Sequence, residues 1–198
     1  MKLVLATQNP KKLREMQAIL EDLGVEVVSE AELGVQIEVE ETGETFAENA
    51  RLKARAVMEA TGLPAVADDS GLCVDALGGA PGVYSARYGG EGLDDAGRYR
   101  LLLSSLSGQT NRAAHFHTSI VCALPEGGEL TAEGDCPGTI AFAPMGEGGF
   151  GYDPVFFVPE LRKTFAQLSA EEKAAISHRG RALRAFSAVL DEYLKGKK

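Results

Sequence analysis

The chain has 198 residues, the length of one ordinary globular domain, and we predict a single domain over residues 1–198. Hydrophobic residues make up 44% and charged residues 25% of the sequence, which excludes a disordered or fibrous protein. The net charge of −9 at pH 7 disfavours a DNA or RNA partner, because most of the surface repels a phosphate backbone. The apolar runs are too short to cross a bilayer and no signal peptide is evident, so we expect a cytoplasmic location and no membrane partner.

The first part of the chain predicts a βαβ unit. The apolar run Leu3–Ala6 indicates a strand, and residues 7–10 have the composition of a turn. Apolar residues at helical spacing follow and end at Gly24. A second strand is predicted at Val25–Val28, which favours an α/β fold with helices packed on a sheet.

The next elements bring two acidic residues to the end of a buried strand. Thr45 and Glu48 have capping-box spacing and predict the start of a helix that ends in residues 61–64. Ala65–Ala67 then predicts a short strand that delivers Asp68 and Asp69 at its C-terminal end, where open α/β sheets bind ligands.

The second half predicts a mixed sheet. A helix should begin at Asp94 and end near Leu106, followed by two strands joined by a turn at residues 125–128. That hairpin requires antiparallel pairing. The remaining predictions are strands Ala113–Leu124, Glu129–Ile140 and Val155–Val158 and helices Ser169–Ile176 and Ala182–Leu194. The three cysteines lack CxxC spacing, and we expect each to be a buried apolar residue.

Acidic residues suggest a hard metal ion. Residues 38–48 contain five glutamates and no lysine or arginine, a pattern that suits Mg²⁺ or Mn²⁺, although taken alone it favours a solvated acidic loop. Asp68 and Asp69 add weight to the first interpretation, because two adjacent acids beside a core need a cation to offset their charge.

A polar turn joins the first strand to the first helix. Its hydroxyl, amide and two ammonium groups meet the unpaired N–H groups of a helix start, which is an arrangement that binds phosphate. An ordinary polar turn is the alternative interpretation. The residues concerned are Thr7, Gln8, Asn9, Pro10, Lys11 and Lys12.

A glycine-rich segment and a basic pair are candidates for contact with a base. Gly146–Gly151 matches GxGxxG, but a strand follows where a dinucleotide site requires a helix, so we reject that function. The glycines instead let the backbone approach a ligand, with Phe150 or Tyr152 offering a flat face, unless the segment is only a structural loop. His178 and Arg179 lie between two helical segments, where both side chains can donate to a base or a phosphate.

Six separated motifs, in this order, resemble those of the inosine triphosphate pyrophosphatase family. The match covers essentially the whole chain, which makes it more specific than any single motif. The motifs are TQNPKK at 7–12, ETGETF at 41–46, ADDSGL at 67–72, GGAPGVYSARY at 78–88, GFGYDP at 149–154 and SHRG at 177–180.

The resemblance implies an α/β fold with a long twisted mixed β-sheet flanked by helices and two lobes around a central nucleotide-binding cleft. It also implies a homodimeric hydrolase of nucleotide metabolism. Such enzymes use Mg²⁺, with Mn²⁺ as a substitute, to hydrolyse noncanonical purine nucleoside triphosphates (ITP, dITP and XTP). The products are the monophosphate and pyrophosphate, and the reaction cleanses the nucleotide pool.

The resemblance further assigns roles by position. Asp69 is implied as the proton acceptor for the attacking water, with Asp68 supporting it. Asp69 is also implied as a ligand of the metal, together with Glu40 or Glu41. The implied substrate-binding residues are Thr7, Gln8, Asn9, Pro10, Lys11, Lys12, Lys53, Ser70, Phe150, Gly151, Tyr152, Asp153, Lys173, His178 and Arg179.

Two other functions are compatible with parts of the sequence. One is a module that binds purine triphosphates without cleaving them, although a binder has no need of the acids at residues 68 and 69. The other is a hydrolase for modified pyrimidine or methylated nucleotides. A profile of substrates separates all three functions.

Overall fold

The computed structural model describes residues 1–197 and contains a seven-stranded mixed sheet flanked by helices. The strands are β1 Lys2–Leu5, β2 Glu26–Ser29, β3 Ala65–Val74, β4 Ala113–Ala123, β5 Glu129–Ile140, β6 Phe156–Val158 and β7 Lys163–Thr164. The α-helices are α1 Pro10–Leu20, α2 Phe46–Thr61, α3 Asp95–Ser105, α4 Ala170–Ile176 and α5 His178–Gly196. The strand order is β2-β1-β3-β4-β5-β6-β7, which confirms the predicted α/β class.

Strand β1 lies between two parallel neighbours. It pairs with β2 through Lys2–Glu26 and on its other side with β3 through Leu5–Val66. The chain therefore leaves β1 in one direction through α1 and returns to its other edge through α2. Such a reversal of strand order opens a crevice at the carboxyl ends of the strands, where α/β proteins bind ligands.

The helix starts are set by local side-chain chemistry. The Asn9 side chain accepts a hydrogen bond from Lys11 N and caps α1, while Pro10 occupies its first position. The capping box predicted at Thr45 and Glu48 is confirmed. These caps fix where α1 and α2 begin, and therefore where Lys12 and the side chains of α2 lie against the sheet.

Several predictions about the secondary structure need correction. Strand β3 does not end before Asp68 and Asp69 but continues through both, because the sheet gives their backbone groups partners. Strand β1 ends at Leu5, one residue earlier than predicted. His178 and Arg179 do not lie between helices: they form the start of α5, where the Ser177 hydroxyl accepts from Gly180 N.

The cysteine prediction is correct for two residues. Cys122 and Cys136 are buried, and burial raises the pKa of the Cys122 thiol to about 12. Cys73, in β3, is only half-buried, so the prediction is wrong for this residue.

The predicted hairpin is confirmed. Strands β4 and β5 are neighbours in the sheet, and a hydrogen bond from Gly127 N to Leu124 O closes the turn between them.

The chain divides into two compact units. The first contains residues 1–69, 118–134 and the chain from 181 onward, and the second contains residues 70–117 and 135–180. The first core includes the fully buried Leu3, Met16, Ile120 and Phe186, and the second includes Leu72, Leu102, Phe156 and Phe165. Within residues 1–197, no helix combines the length and apolar character that a membrane span requires. The single domain over residues 1–198 stays a prediction.

Candidate active site

In the first unit, two adjacent carboxylates contact different helices. Successive side chains of a strand point to opposite faces, so Asp68 and Asp69 cannot share one partner. Asp68 faces α1 and accepts a hydrogen bond from Lys12 Nζ at 2.7 Å. Asp69 faces α2 and contacts Lys53 Nζ at 3.6 Å. One lysine from each helix thus balances one carboxylate of β3.

The Asp68 carboxylate is an internal anchor. Its side chain is only 1% exposed, whereas that of Lys12 is 33% exposed. A buried carboxylate needs a charged partner, and Lys12 supplies it. The arrangement holds the Lys12 ammonium at the end of β3 with one side open to solvent.

Lys53 contacts three groups with a single ammonium. Its Nζ donates to Glu41 Oε1 at 2.8 Å and to the backbone carbonyl of Asp68 at 2.8 Å, and it lies 3.6 Å from Asp69 Oδ1. Two carboxylates from distant parts of the chain are therefore both within 4 Å of one positive nitrogen. The structure brings together the predicted residues Glu41, Lys53 and Asp69.

Asn49 is a residue of this site that the sequence argument did not select. It lies four residues before Lys53 in α2, is fully buried, and donates from Nδ2 to Asp69 Oδ2 at 3.3 Å. Its Oδ1 accepts from Gly43 N at 2.8 Å. A Cβ on Gly43 would lie 2.7 Å from that Oδ1, so only glycine fits there. Asn49 thus links the loop that carries Glu41 to the carboxylate of Asp69.

The turn between β1 and α1 presents exposed polar groups. Thr7 Oγ1 accepts from Asn9 N at 3.2 Å, and the Asn9 side chain caps α1. Gln8, Asn9, Pro10 and Lys11 are exposed, whereas Thr7 and Lys12 are half-buried. The N–H groups at the start of α1 and the Lys12 ammonium are therefore in one place, as a phosphate site requires.

A cavity of about 430 Å³ lies beside this turn. It is lined on one side by Thr7, Gln8 and Lys53 and on the other by Glu30 and the segment 37–39. Glu30 is only 4% exposed, and burial raises the pKa of its carboxyl group. Sequence reasoning missed Glu30, because no local pattern indicates that the end of β2 is covered.

Hard oxygen ligands for a divalent cation are present in the first unit. Glu41 and Asp69 already surround a positive charge, which fits the requirement of Mg²⁺ for carboxylate oxygens. Glu40 is exposed, and its backbone carbonyl accepts from Thr42 N at 3.1 Å. In the described part of the chain, no group of three His, Cys, Asp or Glu side chains is arranged to hold a metal ion.

In the second unit, Asp153 organises the predicted base-binding segment. Asp153 is 3% exposed and accepts from Phe150 N at 2.9 Å and from Lys173 Nζ. A Cβ on Gly149 would lie 2.0 Å from Asp153 Oδ2, so this turn requires glycine. Gly151 N donates to Asp95 Oδ2 at 2.7 Å, which the sequence did not predict. The buried Asp153 carboxylate therefore fixes the backbone conformation of the segment that carries Phe150.

In the second unit, the Lys173 ammonium lies against the exposed aromatic ring of Phe150. Lys173 Nζ lies 4.6 Å from the centre of the Phe150 ring, and that ring is 66% exposed. Tyr152, by contrast, is buried and donates from its hydroxyl to Ser85 O at 2.7 Å. Burial raises the pKa of that hydroxyl, so Tyr152 supports the loop and does not offer a free face.

The His178 ring packs on an aromatic core. It is stacked on Phe116 at 4.6 Å, with Phe165 behind, and this packing fixes the plane of the imidazole. Arg179 follows in the first turn of α5, and both residues are half-buried. A Cβ on Gly180 would lie 2.0 Å from Ala174 O, so glycine lets α5 start against α4. Ser70 also belongs to this unit and lies in β3, half-buried.

Acidic and basic side chains beside the carboxyl end of β1, at a reversal of strand order, are typical of α/β proteins that act on phosphorylated ligands. The chain belongs to the Ham1 family, whose model matches residues 3–189.

Relatives of similar length carry one name. A protein of Exiguobacterium is 50% identical over 99% of this chain and 100% of its own length, and is named dITP/XTP pyrophosphatase. A protein of Escherichia coli O157:H7 with the same name is 52% identical over 92% of this chain and 94% of its own. A HAM1 protein structure from Coxiella burnetii has a TM-score of 0.93 and 46% identity, and covers 97% of this chain and 99% of its own.

The buried carboxyl of Glu30 predicts a pH-dependent stability. Because burial raises its pKa above the ordinary value of 4.5, the group stabilises the fold below that pH and loses this contribution as pH rises through the raised pKa. Glu30→Gln should therefore match the wild type in free energy of unfolding at pH 4 and exceed it at pH 7. Urea unfolding at both pH values measures the difference.

The exposed Glu59 of α2 provides the matched control. Glu59→Gln should change the free energy of unfolding by less than about 0.5 kcal/mol at either pH. A Glu30→Gln variant that differs from the wild type by the same amount at pH 4 and pH 7 would contradict the buried-carboxyl interpretation.

Proposed function

We propose that this chain hydrolyses noncanonical purine nucleoside triphosphates, dITP, XTP and ITP, to the monophosphate and pyrophosphate. The observation that carries the proposal is the cluster of Glu41, Lys53 and Asp69, where β3 runs past the carboxyl end of β1. It is supported by relatives about as long as this chain, near 50% identical, that are named dITP/XTP pyrophosphatase. Release of pyrophosphate requires cleavage of the bridge between the α- and β-phosphorus, and we place the attack of water at the α-phosphorus.

Asp69 is the proton acceptor in this proposal. Its side chain is 13% exposed, so water can reach it, and Asn49 and Lys53 hold its two oxygens. The water oxygen forms a bond to the α-phosphorus, its proton goes to the Asp69 carboxylate, and the bond from phosphorus to the bridging oxygen of pyrophosphate breaks. Asp68 acts differently, because its buried carboxylate is bound to Lys12 and positions that ammonium.

The phosphates are assigned to the turn between β1 and α1. Lys12, the Thr7 hydroxyl and the N–H groups at the start of α1 offset the charge that develops on the departing pyrophosphate. Lys53 is a further phosphate contact, since it lines the adjacent cavity together with Thr7 and Gln8. Asn9, Pro10 and Lys11 set the geometry of the turn.

Mg²⁺ is the proposed cofactor, with Mn²⁺ as its substitute, and Glu41 and Asp69 are its proposed protein ligands. When bound, such an ion neutralises phosphate charge and lowers the pKa of coordinated water. Glu41, Asp68 and Asp69 place three carboxylates beside the ammonium groups of Lys12 and Lys53. A triphosphate would add more negative charge, which favours a bound divalent cation. Glu40 is the weaker candidate, since its exposed side chain lacks the contact to Lys53 that Glu41 has.

The purine is assigned to the second unit. Hypoxanthine and xanthine carry an acceptor oxygen at C6, where adenine carries an amino donor. Lys173, His178 and Arg179 supply donors, and the exposed Phe150 ring supplies a stacking face. Adenine would leave such donors without acceptors, which penalises ATP. We also propose a cytoplasmic homodimer, on the strength of the family resemblance.

The substrate profile tests the proposal. With Mg²⁺, the purified protein should release pyrophosphate from XTP and dITP at least about a hundredfold faster than from ATP, as expected for a site that reads a hydrogen-bonding edge. GTP should also be a poor substrate. Equal rates on XTP, dITP, ATP and GTP would remove the specificity claim, and turnover of modified pyrimidine or methylated nucleotides alone would replace it.

Asp69→Asn should remove turnover and preserve nucleotide binding. Loss of a proton acceptor costs about 10²- to 10⁴-fold in kcat, and the phosphate and base contacts remain. Pyrophosphate release gives the rate, and calorimetric titration with XTP gives the affinity. The matched control is Asp22→Asn, since Asp22 is exposed in the turn after α1. Normal turnover by Asp69→Asn would show that the base is another residue.

A further inference from the structure

The ammonium of Lys53 fills the space between two carboxylates. Its Nζ is 2.8 Å from Glu41 Oε1 and 3.6 Å from Asp69 Oδ1. The three side chains are 20%, 27% and 13% exposed, so water only partly screens their charges. The ammonium of Lys53 therefore lies within 4 Å of both carboxylates.

Lys53 also has a neutral anchor at the same place. Its Nζ donates at 2.8 Å to the backbone carbonyl of Asp68, which is fixed by β3. One carbonyl and two carboxylates around a positive charge form an oxygen-rich site of the type that hard cations occupy. An ammonium and a divalent ion beside the same two carboxylates repel each other, so each weakens the binding of the other.

We propose that Lys53 is a resident cation that competes with the metal ion for Glu41 and Asp69 and moves away when polyphosphate arrives. The inference rests on the proposed function, because it takes those two carboxylates as metal ligands. Lys53 then acts as a positioning residue: it keeps two like charges together in the nucleotide-free enzyme and vacates them for the metal.

The surroundings of Lys53 give the ammonium a second destination. Lys53 lines the cavity that also contains Thr7 and Gln8 of the phosphate-binding turn. The lysine stem has four rotatable carbons, so a modest rotation exchanges carboxylate oxygens for phosphate oxygens. Metal binding and nucleotide binding are thereby coupled, and the free enzyme holds metal weakly.

The experiment measures Mn²⁺ affinity in the absence of any nucleotide. Electron paramagnetic resonance of free Mn²⁺ gives the dissociation constant for the wild type and for Lys53→Met, which keeps the length of the side chain and removes its charge. Removal of a positive charge within about 4–6 Å of two carboxylates should lower the Mn²⁺ dissociation constant at least about tenfold. Mn²⁺ should also raise the unfolding temperature of the variant more than that of the wild type.

Arg55→Met is the matched control, because it removes a positive charge of the same helix that contacts Glu129 and lies outside the proposed site. Its Mn²⁺ affinity should change less than about threefold, as expected for a more distant charge. A Lys53→Met affinity within threefold of the wild type, or an equal gain in Arg55→Met, would overturn the proposal. Should Lys53→Met fail to fold by circular dichroism, Lys53→Gln carries the same expectation, since its amide can still donate to the Asp68 carbonyl.

This titration is independent of turnover. If XTP and dITP are not hydrolysed but Lys53→Met binds Mn²⁺ more tightly, the proposed function fails and the competition stands. If hydrolysis occurs and the affinities are equal, the competition fails and the proposed function stands.

Discussion

The alternation of side chains along β3 is the constraint on which the candidate site depends. Asp68 and Asp69 are adjacent in a strand, so their carboxylates leave it on opposite faces. The crossing of the chain on both sides of β1 supplies α1 for one face and α2 for the other. Lys12 and Lys53 are the matching cations. Two carboxylates that would repel each other thus acquire different surroundings, one as an internal anchor and one as the proposed, more accessible base.

The balance of charge around Asp69 then governs ligand binding. With Glu41 included, the cluster has more carboxylates than ammonium groups, and Glu30 and Glu38 line the neighbouring cavity. Additional positive charge would favour the entry of a polyphosphate, which is why the proposed metal and substrate belong together. In the proposal, Lys53 takes the place of that charge in the free protein. Asn49, buried between Gly43 and Asp69, keeps the acidic loop and the strand in register while cations exchange.

Much of this arrangement could be predicted from local patterns. The capping box at Thr45 and the turn at residues 7–10 depend on neighbours in sequence, and the structure contains both. Lys53 was predicted as a phosphate contact, but its contacts with Glu41 and Asp69 depend on tertiary packing and could not be predicted. The length of β3 was underestimated for the same reason, since buried acids are tolerated in a strand only when lysines from other elements reach them. No local pattern indicated that Glu30 is buried or that Asp95 accepts a hydrogen bond from Gly151. Asn49 did give one, because it precedes Lys53 by four residues on the same helix face.

A diffraction experiment with Mn²⁺ tests the central claim most directly. Crystals of the protein with Mn²⁺ and an XTP analogue that has a methylene group between the α- and β-phosphorus would locate the metal by its anomalous scattering. The account predicts Mn²⁺ in direct contact with carboxylate oxygens of Glu41 and Asp69 and with phosphate oxygens, and Lys53 Nζ on a phosphate. Mn²⁺ bound away from both carboxylates, with Lys53 still on Glu41, would contradict it.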